Sequence, residues 1–144
     1  MYPTRNEKII IGSLSMQFLV DGQDTAGHMA MAEMVVPPGA RVPPPHHHNE
    51  VDETIHILEG SLTYRVDDEV RLLGVGDHCF SPRGSVHHFA NPGDVAARAL
   101  VVFSPAKIGP DYFRDVAEVL GAGRALNLEA LQSVMKRHGL EMAQ

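Results

Sequence analysis

Apolar and polar positions alternate in short runs over most of this chain. Up to residue 104 the runs are KIII, SMQFLV, MAMAEMVV, TIHILEG, SLTYRV, EVRLL, DHCFS, HHFA and RALVVFS. Each places apolar side chains at every second position or in one brief block, which is the strand period. Between them stand GS, DGQD, PPGA, DD, GVGD, PRGS and NPGD, residues that turn chemistry favours. About nine short strands at this spacing predict an all-β sandwich or barrel.

The period changes once. In PDYFRDVAEVLG, Tyr112, Phe113, Val116, Val119 and Leu120 fall on one helical stripe. In NLEALQSVMKRHG, Leu128, Leu131, Val134 and Met135 fall on another, with Asn127 as N-cap and Gly139 as the stop. The expected organisation is a β-barrel over residues 1–108 and a helical extension over 109–144, packed on the barrel or in a dimer. Stripes of this kind are read as core or dimer contact rather than as a cofactor site.

The chain has 144 residues, enough for one well-buried core. Its net charge of −6 and lack of a Lys/Arg stripe argue against nucleic acid as a partner. The first residues, MYPTRNEKIIIGSLSM, are charged and broken by Gly12, Ser13 and Ser15, so they do not resemble a secretory leader, and no stretch is long enough to span a bilayer. The single cysteine, Cys79, excludes an intrachain disulfide and fits a reducing compartment. A cytoplasmic protein without membrane contact is the expectation.

Histidine is the compositional anomaly. Of nine, seven lie between His46 and His88. In a strand, residues i and i+2 share a face, so His46 and His48 project together and His47 points away. Glu53 follows a short turn and opens the TIHILEG strand. A second polar cluster, GDHCFSPRGSVHHFAN, has a tight Pro82–Gly84 turn with His87 starting the strand that leaves it. By the same alternation His88 faces away from His87, and His56 has the parity opposite to Glu53. His56 and His78 are read as structural, and His28 and His138 as having no role in a site.

These two stretches resemble the paired signature motifs of the cupin superfamily, G-x5-H-x-H-x3-4-E-x6-G and G-x5-P-x-G-x2-H-x3-N. The second is matched at every position by Gly76, Pro82, Gly84, His87 and Asn91; the first, from Gly39 to Gly60, has one extra residue before His46. The resemblance covers about residues 30 to 104 and is to small single-domain cupins akin to quercetin dioxygenases. It implies an antiparallel jelly-roll β-barrel, with Gly39, Gly60, Gly76, Pro82, Gly84 and Asn91 shaping corners. It also implies a single divalent metal ion held by His46, His48, Glu53 and His87.

A nitrogen and oxygen donor set without thiolate suits Fe, Ni, Mn, Co or Zn. A metal-dependent dioxygenase acting on a small enolisable or phenolic substrate is the leading reading, with Glu53 doubling as the catalytic base. An O2-independent isomerase, cyclase or lyase, and a non-catalytic small-molecule binder, stay open beside it. Met16, Phe18, Met29, Met31, Met34, Phe80 and Phe89 are candidates to line an apolar pocket, and equally candidates for ordinary core. Arg41, Arg65 or Arg98 could anchor a substrate carboxylate; Arg83 is expected in solvent, and the Asp67-Asp68-Glu69 turn carries no site. The apolar surface of strand 8–11 and of the terminal helices predicts a homodimer.

Overall fold

All nine predicted runs are strands in the computed structural model, which describes residues 7–121 and 125–143. They are β1 (Lys8–Ile11), β2 (Leu14–Val20), β3 (Ala30–Val36), β5 (Asp52–Glu59), β6 (Leu62–Val66), β7 (Glu69–Leu73), β8 (His78–Ser81), β9 (His87–Ala90) and β10 (Ala97–Ser104). Two further strands join them: β4 (His46–His48), which is the histidine run itself, and β11 (Leu140–Met142), which follows the helices α1 (Pro110–Leu120) and α2 (Leu128–Arg137).

The strands form two antiparallel sheets, ordered β1-β2-β3-β10-β5-β8 and β11-β4-β9-β6-β7. Together they make the expected jelly roll. Alternation decides which residues face inward. On β3 the buried set is Ala30, Ala32, Met34 and Val36, and on β10 it is Ala97, Ala99, Val101 and Phe103. Small faces large across the pair, with Ala30 opposite Phe103 and Ala99 opposite Met34, so the centre of the sheet packs without overfilling.

The signature residues work as ties between segments distant in sequence. Asn91 is buried; its Nδ2 donates to the carbonyls of Val36 and Val95, both at 2.9 Å, and its Oδ1 accepts from the Gly93 amide at 3.0 Å. The Gly39 amide donates to the Asn91 carbonyl at 3.0 Å, and the Gly84 amide to the His48 carbonyl at 2.8 Å. The first motif is thus hydrogen-bonded to the second at two points, Gly39 to Asn91 and His48 to Gly84. Arg83 is exposed as expected, yet it is clamped by Asp52, which accepts from its backbone N–H at 2.9 Å and from its guanidinium at 3.1 Å.

The C-terminal segment adds a strand as well as helices. Asn127 caps α2, its Oδ1 accepting from the Ala130 amide at 3.0 Å. Of the predicted α2 stripe, Leu131, Val134 and Met135 are buried, whereas Leu128 is 51% exposed and lies off the packed face. The chain then turns at Gly139, and β11 pairs with β4, Leu140 opposite His48 and Met142 opposite His46. The Asn49 amide donates to Gly139 and the Ala143 amide to Pro45, each at 2.9 Å, closing both ends of the pairing.

Candidate metal centre

The Pro43-Pro44-Pro45 approach feeds a three-residue strand in which His46 and His48 are buried and His47 is not. β9 then brings His87 directly opposite His46. The three buried rings have centroids 4.6 to 5.3 Å apart, and one ligand atom from each lies within 4.8 Å of the others. Glu53 arrives from the opposite sheet, on the inward parity of β5 shared with Ile55 and Ile57.

The carboxylate sits among the imidazoles. Glu53 Oε2 lies 2.7 Å from His87 Nε2 and 3.7 Å from His48 Nε2. The short contact lacks the alignment of a hydrogen bond, and Oε2 is buried without a hydrogen-bond partner. The three imidazoles thus offer ligand atoms within reach of one ion, and the Glu53 carboxylate stands beside them at His87. At His46 the tautomer is set: Nδ1 donates to the Pro44 carbonyl at 2.8 Å, which leaves Nε2 with its lone pair.

Electrostatics prepare these groups as donors. Burial, reinforced by His87 and His48, pushes His46 down to about 3. Burial also lowers His48 to about 4, against the pull of Glu53. Burial would raise Glu53, but the imidazoles, His87 first, outweigh it and bring the carboxyl to about 2. For His87 burial is outweighed in turn by the Glu53 charge and contact, and its pKa rises. At neutral pH the cluster therefore offers two neutral imidazoles and one carboxylate, and the Glu53 charge draws a proton toward His87. Three buried imidazoles with this geometry can hold a metal ion.

The cluster lies in an apolar cavity of about 40 Å³. Met16, Met34 and Phe89 line it as the sequence suggested. Other candidates do not. Phe18 is buried behind the wall, stacked at 6.4 Å on Phe103; Met29 precedes β3; Met31 has the outward parity of that strand; and Phe80 is 56% exposed. None of the three candidate arginines lines the cavity: Arg98 pairs on the outer face with Glu33 and Glu59, Arg65 donates to the Asp67 carbonyl, and Arg41 is exposed. The bystander histidines are also placed as alternation requires. His47 faces Glu141 at 3.3 Å, His88 lies across from Arg65, and His56 stacks on His78 at 6.3 Å outside the cavity.

The cavity wall contains residues the sequence reading gave to plain packing. Tyr112 and Phe113, on the α1 stripe assigned to core or dimer contact, line it, as do Tyr64 and Phe103. His138, given no role, holds Asp115 at 2.8 Å and packs edge-on against Tyr112 at 5.2 Å. The one available signal was a tyrosine in an otherwise apolar stripe, since a buried phenol needs a partner for its hydroxyl.

The chain is similar to several known proteins. The tetracenomycin polyketide synthase protein TcmJ of Streptomyces glaucescens is 33% identical over 87 residues, 60% of this chain and 56% of that protein. The solved polyketide cyclase RemF of Streptomyces resistomycificus is 27% identical with a TM-score of 0.62, over 72% of this chain and 79% of that one. A sugar phosphate isomerase from Silicibacter pomeroyi is 28% identical with a TM-score of 0.53, over 62% and 59%. The chain spans 56% to 61% of the length of the curated relatives it matches. No helix among the described residues is long and apolar enough to cross a membrane. Residues 32–103, half of the chain and the segment that carries both histidine motifs, match the cupin domain, and the chain belongs to that family.

Proposed function

We propose that this cupin is a metal-dependent enzyme acting on a small enolisable or phenolic substrate. One observation carries the reading: three buried imidazoles converge, with a carboxylate 2.7 Å from one of them, inside a cavity whose remaining walls are apolar and aromatic. His46, His48, His87 and Glu53 would hold the ion, one of Fe, Ni, Mn, Co or Zn. When bound, the metal supplies Lewis acidity to a substrate oxygen. Glu53, ionised at neutral pH, accepts the proton that an enolisable C–H or phenolic O–H gives up. The apolar walls exclude water and favour a substrate with little charge.

Proton removal of this kind precedes both O2-independent and O2-dependent chemistry. The likeness to a polyketide cyclase and to a polyketide synthase protein supports the former, a cyclase or isomerase; dioxygenation of the same enolate is the second reading. A cavity of about 40 Å³ holds roughly a water molecule or two, far below the ~300 Å³ of ordinary ligand sites. Substrate entry therefore requires a wall to move.

The test begins with metal stoichiometry of the purified protein, of His48→Ala and of Glu53→Ala. We expect about one ion per chain, with occupancy lost in His48→Ala and reduced in Glu53→Ala; full occupancy in both variants would refute the ligand set. Turnover of hydroxylated aromatic ketones with and without O2 then separates the chemistries, since undiminished anaerobic turnover excludes the dioxygenase. The protein is also proposed to dimerise, the edge strand β1 presenting Ile10, 55% exposed; a light-scattering mass of one chain would reject this.

A further inference from the structure

Among the described residues, the buried side-chain atoms without a hydrogen-bond partner are nitrogens of His47, His48 and His87, Glu53 Oε2, and the Tyr112 hydroxyl. Three of these residues belong to the metal cluster, and His47 meets Glu141 through its other nitrogen. Tyr112 stands apart. It is 2% exposed and lines the same cavity. The other tyrosine of the wall, Tyr64, meets Ser81 Oγ at 3.2 Å. A phenol buried without a partner costs stability that phenylalanine, of nearly equal volume, would not.

The ring is braced where it stands. Phe113 packs edge-on at 4.9 Å and His138 at 5.2 Å, and His138 Nε2 is held at 2.8 Å by the Asp115 carboxylate. Burial and the Glu53 charge both push the phenol well above its usual pKa, so the group keeps its proton and remains a donor. Glu53, His46, His48 and His87 line the same cavity as the ring.

We infer that Tyr112 donates its hydroxyl proton in a hydrogen bond to an oxygen of the bound ligand, at a point separate from the metal cluster. This rests on the proposed function and narrows it. The ligand carries at least one acceptor oxygen beyond those that face His46, His48 and His87, as polyhydroxylated aromatic ketones do. The C-terminal extension, through α1, thereby contributes a specificity-determining residue to a site otherwise built by the barrel.

Two probes separate these claims: 2-hydroxyacetophenone, whose two oxygens suffice for chelation, and 2,4,6-trihydroxyacetophenone, which has two more. Calorimetry on the zinc-loaded protein is compared with Tyr112→Phe. The variant should bind the trihydroxy ketone about tenfold more weakly, the size of one hydrogen bond, and the monohydroxy ketone within about twofold of wild type. Its thermal midpoint without ligand should equal or exceed that of wild type. An equal change for both probes, or no loss for the trihydroxy ketone, overturns the role of Tyr112 and leaves the proposed function standing. A lower midpoint also overturns it, because the hydroxyl would then have a partner within the ligand-free fold. If zinc-loaded wild type binds neither ketone, the substrate class fails and the inference with it.

Discussion

Gly60 and Gly76 occupy equivalent-looking corners of the two motifs, and both have positive φ, +69° and +87°. Their surroundings differ. A Cβ on Gly60 would lie 2.6 Å from the Ala96 carbonyl oxygen and 2.9 Å from Ala97 Cα, both backbone atoms that cannot swing aside, whereas nothing lies within 4 Å of one on Gly76. Gly76→Ala therefore incurs only the left-handed penalty, about 1–2 kcal/mol. Gly60→Ala adds a clash with backbone and should destabilise by about 2 kcal/mol more, read from urea midpoints. Equal losses would show that the close approach at Gly60 relaxes freely. Asn91→Ala strands two carbonyls and one amide, for an expected loss of about 1–3 kcal/mol by the same measurement.

At the level of elements, β4 depends on β11. It has three residues, and its register with β9 is the single pair His46–His87. Without β11 it would be an edge strand, and an edge strand this short holds side chains poorly. Leu140 is the anchor, fully buried and opposite His48. Leu140→Ala should cost about 2–5 kcal/mol. It should also speed exchange of the Asn49 amide, which donates to Gly139, and weaken metal binding. Unchanged Asn49 exchange would mean that β4 keeps its place without the brace. The alternating barrel strands were legible from sequence because alternation repeats over four to eight residues. Leu140–Met142 was not, since three residues carry no period and its partner strand lies about ninety positions earlier.

For the whole molecule, protons and the proposed metal would compete for one cluster. In the unfolded chain the histidines titrate near 6.5; in the fold His46 and His48 fall to about 3 and 4. As pH drops below 6.5 the unfolded chain takes up protons that the folded one refuses, so acid weakens the metal-free protein by about 1.4 kcal/mol per pH unit for each of the two. Glu53, ordinarily at 4.5 and held at about 2, adds a loss in the same direction below 4.5. His87, raised, acts oppositely: its contribution is full below 6.5 and fades as pH rises through its folded value. Chemical denaturation of the metal-free protein from pH 7 to pH 4 should show falling stability, and a flat profile would contradict the buried, neutral imidazoles. Zinc at a hundredfold excess over its Kd should add about 2.7 kcal/mol at neutral pH, with proton release visible as buffer-dependent binding heats.

By itself the sequence determined the strand runs, the jelly roll implied by its paired motifs, and the division of the HHH run, because strand alternation is a local property of the backbone. It also named Glu53 and His87 through motif spacing. Only the tertiary structure decided what closes around them. Convergence of β4, β5 and β9 sets the distances and the pKa values, since burial depends on every neighbour at once. The docking of α1 turned Tyr112 from a stripe residue into part of the cavity wall, and the return of the chain along β4 made Leu140–Met142 a brace for two histidines. Such outcomes follow from contacts between segments far apart in the chain, which no local period records.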